Sequence, residues 1–450
     1  MSLGILAVRH VKAIGILAVV LALWCTPTLG AADGSWPLSL SQAQHIAHER
    51  NHDLQIARTV ISSARAGVEM AAAAPNPSLT VSTSSISTAT RGAGGLWKRP
   101  IDTVLHIDQL IERGGKRELR REGAEQQVRA VRSDYSDLVR QLRASVAQAY
   151  TDLKLAQDKR AAALDHLRLL EAMLSAAQIR KSAGDIAGAD VERVRVDQLR
   201  AQNDVTLAEG ELMLARRLLA RVLGISEEGE QLEASDAWPE PHPPQPLSGT
   251  PLEEVISRRP DVRAAIARIG VADAGSRLAH ALRTRDVTVG MQYEHFPQPG
   301  DPNGGSGNSL GLSVQVPLFT RYYFQGEILA AEASRTASQQ ALLRARALAE
   351  NEISTAWSGL AFAAERVRRN RDELLPAAEK AANAAEYAYR YGAVGVMDVL
   401  DARRTLRITR LDALAAQAEL SKAWFAWTAA TNATTDATTD AVTELSDSSQ

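Results

Sequence analysis

Apolar positions recur along this chain with two periods, and each period appears twice. From Val139 the apolar residues fall at Leu142, Val146, Ala149, Leu153 and Ala156, then at Ala163, Leu167, Leu170, Leu174 and Ala177, with only Arg160 off the frame. Alternating steps of three and four keep one seam of a helix against a partner, which is a coiled-coil pattern. A second seam runs through Trp357, Leu360, Ala364, Val367, Leu374, Ala378 and Ala381. A helix from Glu118 to Lys181 would be roughly 95 Å long at 1.5 Å per residue. No compact domain needs such a rod.

Period two appears between the helical stretches. In "RDVTVGMQYEHF" Val287, Val289, Met291 and Tyr293 share one face, with Thr288, Gly290, Gln292 and Glu294 on the other. In "SLGLSVQVPLF" Leu310, Leu312, Val314 and Val316 lie opposite Ser313 and Gln315. "SLTVSTSSI" and "VLHIDQLI" alternate more weakly in the first half. This is the signature of half-buried strands, and the loops "TRGAGG" and "PGDPNGGSGN" read as exposed hairpin tips. A helical approach precedes each strand pair, over Ser41–Ala74 and Leu252–Leu282.

The two halves align at an offset of about 208 residues: Leu79 falls on Val287, Glu118 on Gly326, Gly184 on Gly392 and Asp190 on Asp398. Internal duplication sets the fold class before any element is placed. The chain divides into a leader (1–32), a first repeat (33–238), a linker with six prolines (239–251), a second repeat (252–430) and a polar tail (431–450). The expected fold is mainly α with a small β part, built on long antiparallel coiled-coil helices. Within each rod, "SAGDIAGADV" and "RYGAVGVMDV" interrupt the pattern. Gly184, Gly188, Gly392 and Gly395 are expected to reverse the chain there, with Asp190 and Asp398 as N-caps of the returning helices.

Composition changes the picture in three ways. The balance of 51 Lys+Arg against 53 Asp+Glu argues against a nucleic-acid partner, which would want a basic face. The single cysteine, Cys25, excludes a disulfide framework and a Cys-based metal cluster. Arg9 and Lys12 precede the apolar run "AIGILAVVLALW", which is too short for a spanning helix, and Gly30 and Ala32 supply the small residues of a cleavage site. Export with Asp33 as the first mature residue is expected. Trp24 spoils the small position that lipidation of Cys25 requires.

Strand counting then constrains assembly. Four strands cannot close a membrane barrel, since the smallest use eight, and an open sheet edge cannot sit in lipid. If Val287, Val289, Met291, Leu312 and Val314 meet lipid, several chains share one barrel. A small water-exposed sheet on a periplasmic coiled coil is the alternative that composition permits.

Several stretches resemble the TolC-type outer-membrane efflux channels: "AAAAPNPSL", "RRPDVRAA", "VPLF" and "YGAVGVMDVLDA", in order and over nearly the whole mature sequence. "QLIERGGKRELR" and "RTRDVTVGMQYEH" look most like the branch serving cobalt-zinc-cadmium and related heavy-metal pumps. The resemblance implies a homotrimer with a shared twelve-stranded outer-membrane barrel over a periplasmic α-barrel. A periplasmic adaptor and an inner-membrane resistance-nodulation-division pump would be its partners, with metal ions as cargo and organic toxicants as the second candidate. It also implies that Asp398 and Asp401 ring the narrow periplasmic opening, and that Tyr389 and Asp190 pair in a latch. A basic partner of that latch would fall on Val394, so this chain departs from the pattern there.

Other chemistry is absent from the pattern. "ERGGKRELR" lacks phosphate-loop spacing, so Lys116, Arg117 and Arg120 read as a strand-to-helix turn near an interface. His45, His52, His280 and His295 form no metal-ligand spacing, and no nucleophile or paired-carboxylate arrangement stands out. An enzyme and a bound cofactor are not expected.

Overall fold

The computed structural model describes residues 36–84, 101–225, 231–240, 251–297 and 306–431. The expected leader, most of the proline-rich linker, the "TRGAGG" loop and nearly all of the tail lie outside the described residues.

Each half begins with a broken helix. In the first, α1 (Leu40–Arg50) and α2 (His52–Ala72) meet at Asn51, whose Oδ1 accepts the N–H groups of Asp53 and Leu54. In the second, α5 (Leu252–Arg258) and α6 (Pro260–Ala281) meet at Arg259, because Pro260 restricts the residue before it and starts a helix well. One continuous approach helix had been expected in each half. The apolar pattern runs on across both breaks, and only the capping Asn and the Pro mark them.

The rods follow. Helix α3 (Lys116–Ser182) has 67 residues, roughly 100 Å, and returns as α4 (Gly188–Leu223) with 36. In the second half α7 (Gln325–Arg369) continues through a π turn (Asn370–Leu374) into α8 (Leu375–Arg390), and α9 (Val396–Thr431) returns with 36 residues. Pro376, lacking an N–H and clashing with the carbonyl four residues earlier, accounts for the π turn. The turn corrects the second seam. Its extra residue moves the inward face from the expected Leu374 and Ala381 to Leu375 and Ala382 while the expected Ala378 stays buried, and Leu374 is 49% exposed. The first seam has no such insertion and is buried or half-buried throughout.

Two sheets are present among the described residues. The short parallel pair β1 (Trp36–Leu38) and β4 (Leu232–Ala234) was not anticipated, since three residues are too few to show a period. It closes a core of Leu38, Val146, Leu153, Leu219, Leu223 and Leu232 against α1, α3 and α4. There the Tyr150 hydroxyl donates to the Leu38 carbonyl (2.9 Å) and accepts from the Asp236 N–H (3.1 Å). A second core joins α5, α6, α7 and α9 through Val262, Ile353, Leu360, Leu420 and Trp427.

The larger sheet is antiparallel, in the order β2 (Ser78–Ser84), β3 (Asp102–Ile111), β5 (Val287–Pro297), β6 (Ser306–Gln315). Register puts Leu79, Ile107, Met291 and Leu312 in one row, and Val81, Leu105, Tyr293 and Leu310 in the next. Strands β2 and β6 are its edges.

Candidate functional site: the hairpin tips and the two faces of the sheet

Both rods reverse with the same backbone. Gly184 has φ 84° and Gly392 has φ 75°, the left-handed region that an L side chain rarely adopts. The N–H of each donates to the carbonyl three residues back, Lys181 and Tyr389, and the next N–H reaches five back, Asp185 to Arg180 and Ala393 to Ala388. These are Schellman turns.

The other two glycines and the two aspartates stand differently from expectation. Gly188 opens α4 and Gly395 precedes α9, so Ala187, not Gly188, occupies the place of Gly395. Asp190 and Asp398 are each third residues of their helices rather than N-caps. Asp398 Oδ2 accepts the Gly395 N–H at 3.0 Å, reaching back as the third residue of a capping box does. Asp190 instead pairs with Arg193 at 3.3 Å. A count from the glycines mistakes the cap position because Ala187, with no side-chain acceptor, fills it.

Asp401, one turn after Asp398, is exposed and makes no ion pair within the chain among the described residues. Tyr389 and Asp190 do not pair. The Tyr389 ring lies under the Arg180 guanidinium, 4.9 Å from its centroid, and packs on a small core of Leu170, Val194, Val396 and Leu400. Arg180 ends α3 and Tyr389 ends α8, so a cation–π contact ties the two hairpins together at the tip. Val394 carries no charge, and the cation beside Tyr389 comes from the other hairpin.

Above the tip an arginine row on α9 crosses to its neighbours. Arg404 meets Asp197 and Arg407 meets Asp204 on α4, while Arg403 meets Glu386 and Arg410 meets Glu379 on α8. Burial, followed by the nearby Arg407, lowers the His166 pKa, which keeps that ring neutral at neutral pH.

At the opposite end the sheet presents two unlike faces. Val289, Met291, Leu312 and Val314 are exposed on one, Val287 is half-buried, and Leu312 reaches 85%. The other face carries Thr80, His106, Asp108, Gln292, Glu294 and Ser313. His106 Nε2 lies 2.7 Å from Asp108 Oδ1, and Gly290 makes room for that pair. A Cβ there would sit 2.3 Å from Ser313 Oγ and 2.6 Å from Asp108 Oδ1.

Two clusters that sequence reasoning left without a role fix the sheet and the hairpins. Lys116, buried where β3 enters α3, donates to both Asp286 carboxylate oxygens at 2.8 Å and to the Thr284 carbonyl. This joins "ERGGKRELR" to "RTRDV" and agrees with the reading of a strand-to-helix turn. Arg259 of "RRPDVRAA" is 1% exposed. It binds Asp261, Glu352 (2.6 Å) and the Ala430 carbonyl (2.9 Å). It thereby closes the last turn of α9, where carbonyls lack helical partners. A buried-seeming Arg before Pro in a polar motif was the available signal.

Among the described residues no helix is long and apolar enough to cross a membrane, and no group of three or more His, Cys, Asp or Glu could hold a metal ion. The described residues thus form two long helical hairpins that reverse at one end and an open, two-faced sheet at the other.

Known proteins share this arrangement. The chain is 24% identical over 365 residues to the cobalt-zinc-cadmium resistance protein CzcC of Cupriavidus metallidurans, covering 80% of this chain and 82% of that protein. It is 27% identical over 401 residues to the pyoverdine export outer membrane protein OpmQ of Pseudomonas putida, covering 82% of each. The fold matches a crystal structure of CusC with a TM-score of 0.74 at 19% identity, over 90% of this chain and 95% of that one. The outer membrane efflux protein profile matches twice, over residues 44–225 and again over 252–433, and the chain therefore belongs to the outer membrane efflux protein family.

Proposed function

We propose that this outer-membrane efflux channel works as a homotrimer, each copy giving four strands to one barrel and two hairpins to one periplasmic tube. The observation that carries this reading is the open sheet. Its two edges are unpaired, its apolar face is exposed, and it stands at the end of rods about 100 Å long. Only further copies of the chain can satisfy those edges in lipid. A periplasmic adaptor and an inner-membrane resistance-nodulation-division pump deliver cargo to the tip. The repeat places one hairpin from each half in the tube wall, and the two copies of the Schellman turn support that duplication.

Asp398 and Asp401 form the gate ring. Three copies of each would crowd like charges around one opening, which attracts cations and resists full ionisation. The latch between hairpins is the Arg180–Tyr389 stack, with Asp190 outside it. Heavy-metal cations are the favoured cargo, because an acidic opening suits them and a relative serves cobalt, zinc and cadmium. An organic cargo has the support of the pyoverdine-exporting relative.

Single-channel recording tests the gate. Asp398→Ala/Asp401→Ala should weaken cation preference and block by trivalent cations. Tyr389→Phe should leave closed-state conductance unchanged, since the hydroxyl makes no hydrogen bond among the described residues, while Arg180→Ala should raise it. Wild-type selectivity and block in the double aspartate variant would reduce both residues to helix-start positions.

A further inference from the structure

The periplasmic rim of the sheet carries charge that neither the duct nor the gate uses. The pairs Ile111↔Val287 and Thr288↔Gln315 bring the end of β3, the start of β5 and the end of β6 to one edge. Around that edge, residues 112–120, 283–286 and 321–327 hold seven Lys or Arg against four Asp or Glu, in a chain whose overall charge is −2. Three of the four carboxylates are engaged. Glu112 binds Arg120, Asp286 binds Lys116, and Glu327 accepts from the Tyr322 hydroxyl at 2.6 Å.

Five arginines remain: Arg113, Arg117, Arg283, Arg285 and Arg321. All are exposed, and none has an ion pair with a carboxylate among the described residues. Arg283 gives one N–H to the Tyr323 carbonyl, Arg117 one to the Ala72 carbonyl, and Arg285 lies over the Phe319 ring at 5.6 Å. Each keeps further donors for a ligand. The arginines of α9, by contrast, are spent on carboxylates of neighbouring helices.

An aromatic strap lies among them. Phe319 and Phe324 meet edge to face at 5.1 Å, with Tyr322 and Tyr323 exposed beside them. Phe324 is the only non-glycine with positive φ among the described residues, at 59°. The matching place before α3 is held by Gly115. A bulky residue in that region costs backbone energy, and what it gains is a ring in the strap.

We propose that this collar binds the phosphates of anionic phospholipid in the periplasmic leaflet of the outer membrane. A guanidinium fork matches phosphate oxygens bidentately. Tyr and Phe settle at headgroup depth, with the apolar strand face continuing above them into hydrocarbon. Each arginine near an anionic surface raises attraction about five-fold. The inference rests on the reading of β2, β3, β5 and β6 as membrane strands.

The test places the full chain in nanodiscs of phosphatidylcholine, alone or mixed with phosphatidylglycerol, and quantifies lipid retained by the extracted protein. Wild type should retain phosphatidylglycerol well above its bulk share, and Arg113→Gln/Arg285→Gln/Arg321→Gln should cut that enrichment at least about five-fold. The variant should conduct as wild type does. No enrichment in a wild type that inserts and conducts would overturn the collar and spare the channel. Failure of wild type to insert would sink both. Millimolar inorganic phosphate removing the enrichment, and stabilising wild type equally in pure phosphatidylcholine, would assign the arginines to a free anion. A soluble acidic protein displacing lipid would assign them to a partner.

Discussion

Arg259→Met keeps much of the apolar stem of a buried side chain and deletes its guanidinium. Three partners lose a charge-assisted bond: the Asp261 carboxylate, the Glu352 carboxylate and the Ala430 carbonyl. Each such loss costs about 1.5–3 kcal/mol when the partner is dry. Asp261 is 28% and Glu352 47% exposed, so water replaces part of what is lost. A total of about 3 kcal/mol follows, at the low end for breaking a buried pair. With an unfolding entropy of roughly 0.75 kcal/mol per degree for the roughly 360 described residues, Tm falls about 4 °C. The measurement is thermal unfolding of detergent-solubilised protein by circular dichroism at one fixed scan rate, since such unfolding is a rate as much as an equilibrium. Arg259→Lys keeps the charge without the fork and should recover only part of the loss. Acid adds an independent reading. Burial pushes the Asp261 pKa up, but the Arg259 bonds outweigh it and hold the carboxyl below its usual range. Its contribution is therefore present above the unfolded value of about 3.9 and lost as pH falls through the lower folded value. Without Arg259, burial is opposed only by Arg140 and the Val262 N–H, so the Asp261 pKa rises and acid destabilisation should begin at higher pH in the variant. A Tm within 1 °C of wild type and an unchanged acid limb would refute the clamp.

Two further outcomes test the ends of the molecule. Val314→Arg on the exposed face of β6 should cost about 2–4 kcal/mol if the site lies near the bilayer midplane, read as loss of membrane-inserted protein; full insertion would take that face out of lipid. Gly392→Ala meets no atom within 4 Å, so its cost of about 1–2 kcal/mol is backbone alone, and Gly392→Asn should be milder, both read from thermal unfolding.

The long helices, the four strands and the faces they present were legible because each is a period sustained over many residues. Val146, Leu153 and Leu170 are buried where the seam puts them, and Leu312 and Val314 stand out where alternation puts them. What escaped has no period. β1 and β4 are three residues each, and their pairing spans almost two hundred positions. The break at Asn51 depends on one side chain folding back on two amides. Tyr389 and Asp190 share the tip as expected, yet their partners, Arg180 and Arg193, are set by helix rotation that no local signal encodes. Arg259 showed its motif but not its task, because its main-chain partner lies 171 positions away.

The π turn makes the two hairpins mechanically unequal although their lengths match. A strict seven-residue repeat winds helices into a left-handed supercoil, and one added residue locally unwinds it. The first hairpin keeps a single winding from the sheet to its tip. The second changes pitch at Asn370–Leu374, and just below that point α8 and α9 share a small core of Ala378, Ala382 and Leu406, with Leu375 half-buried against it. Alanine seats bring axes close while burying little surface, so sliding or untwisting there forfeits less than elsewhere along the rods. In the proposed ring of three chains, wall staves of fixed winding would alternate with staves that can change theirs, and Asp398 and Asp401 ride on the latter.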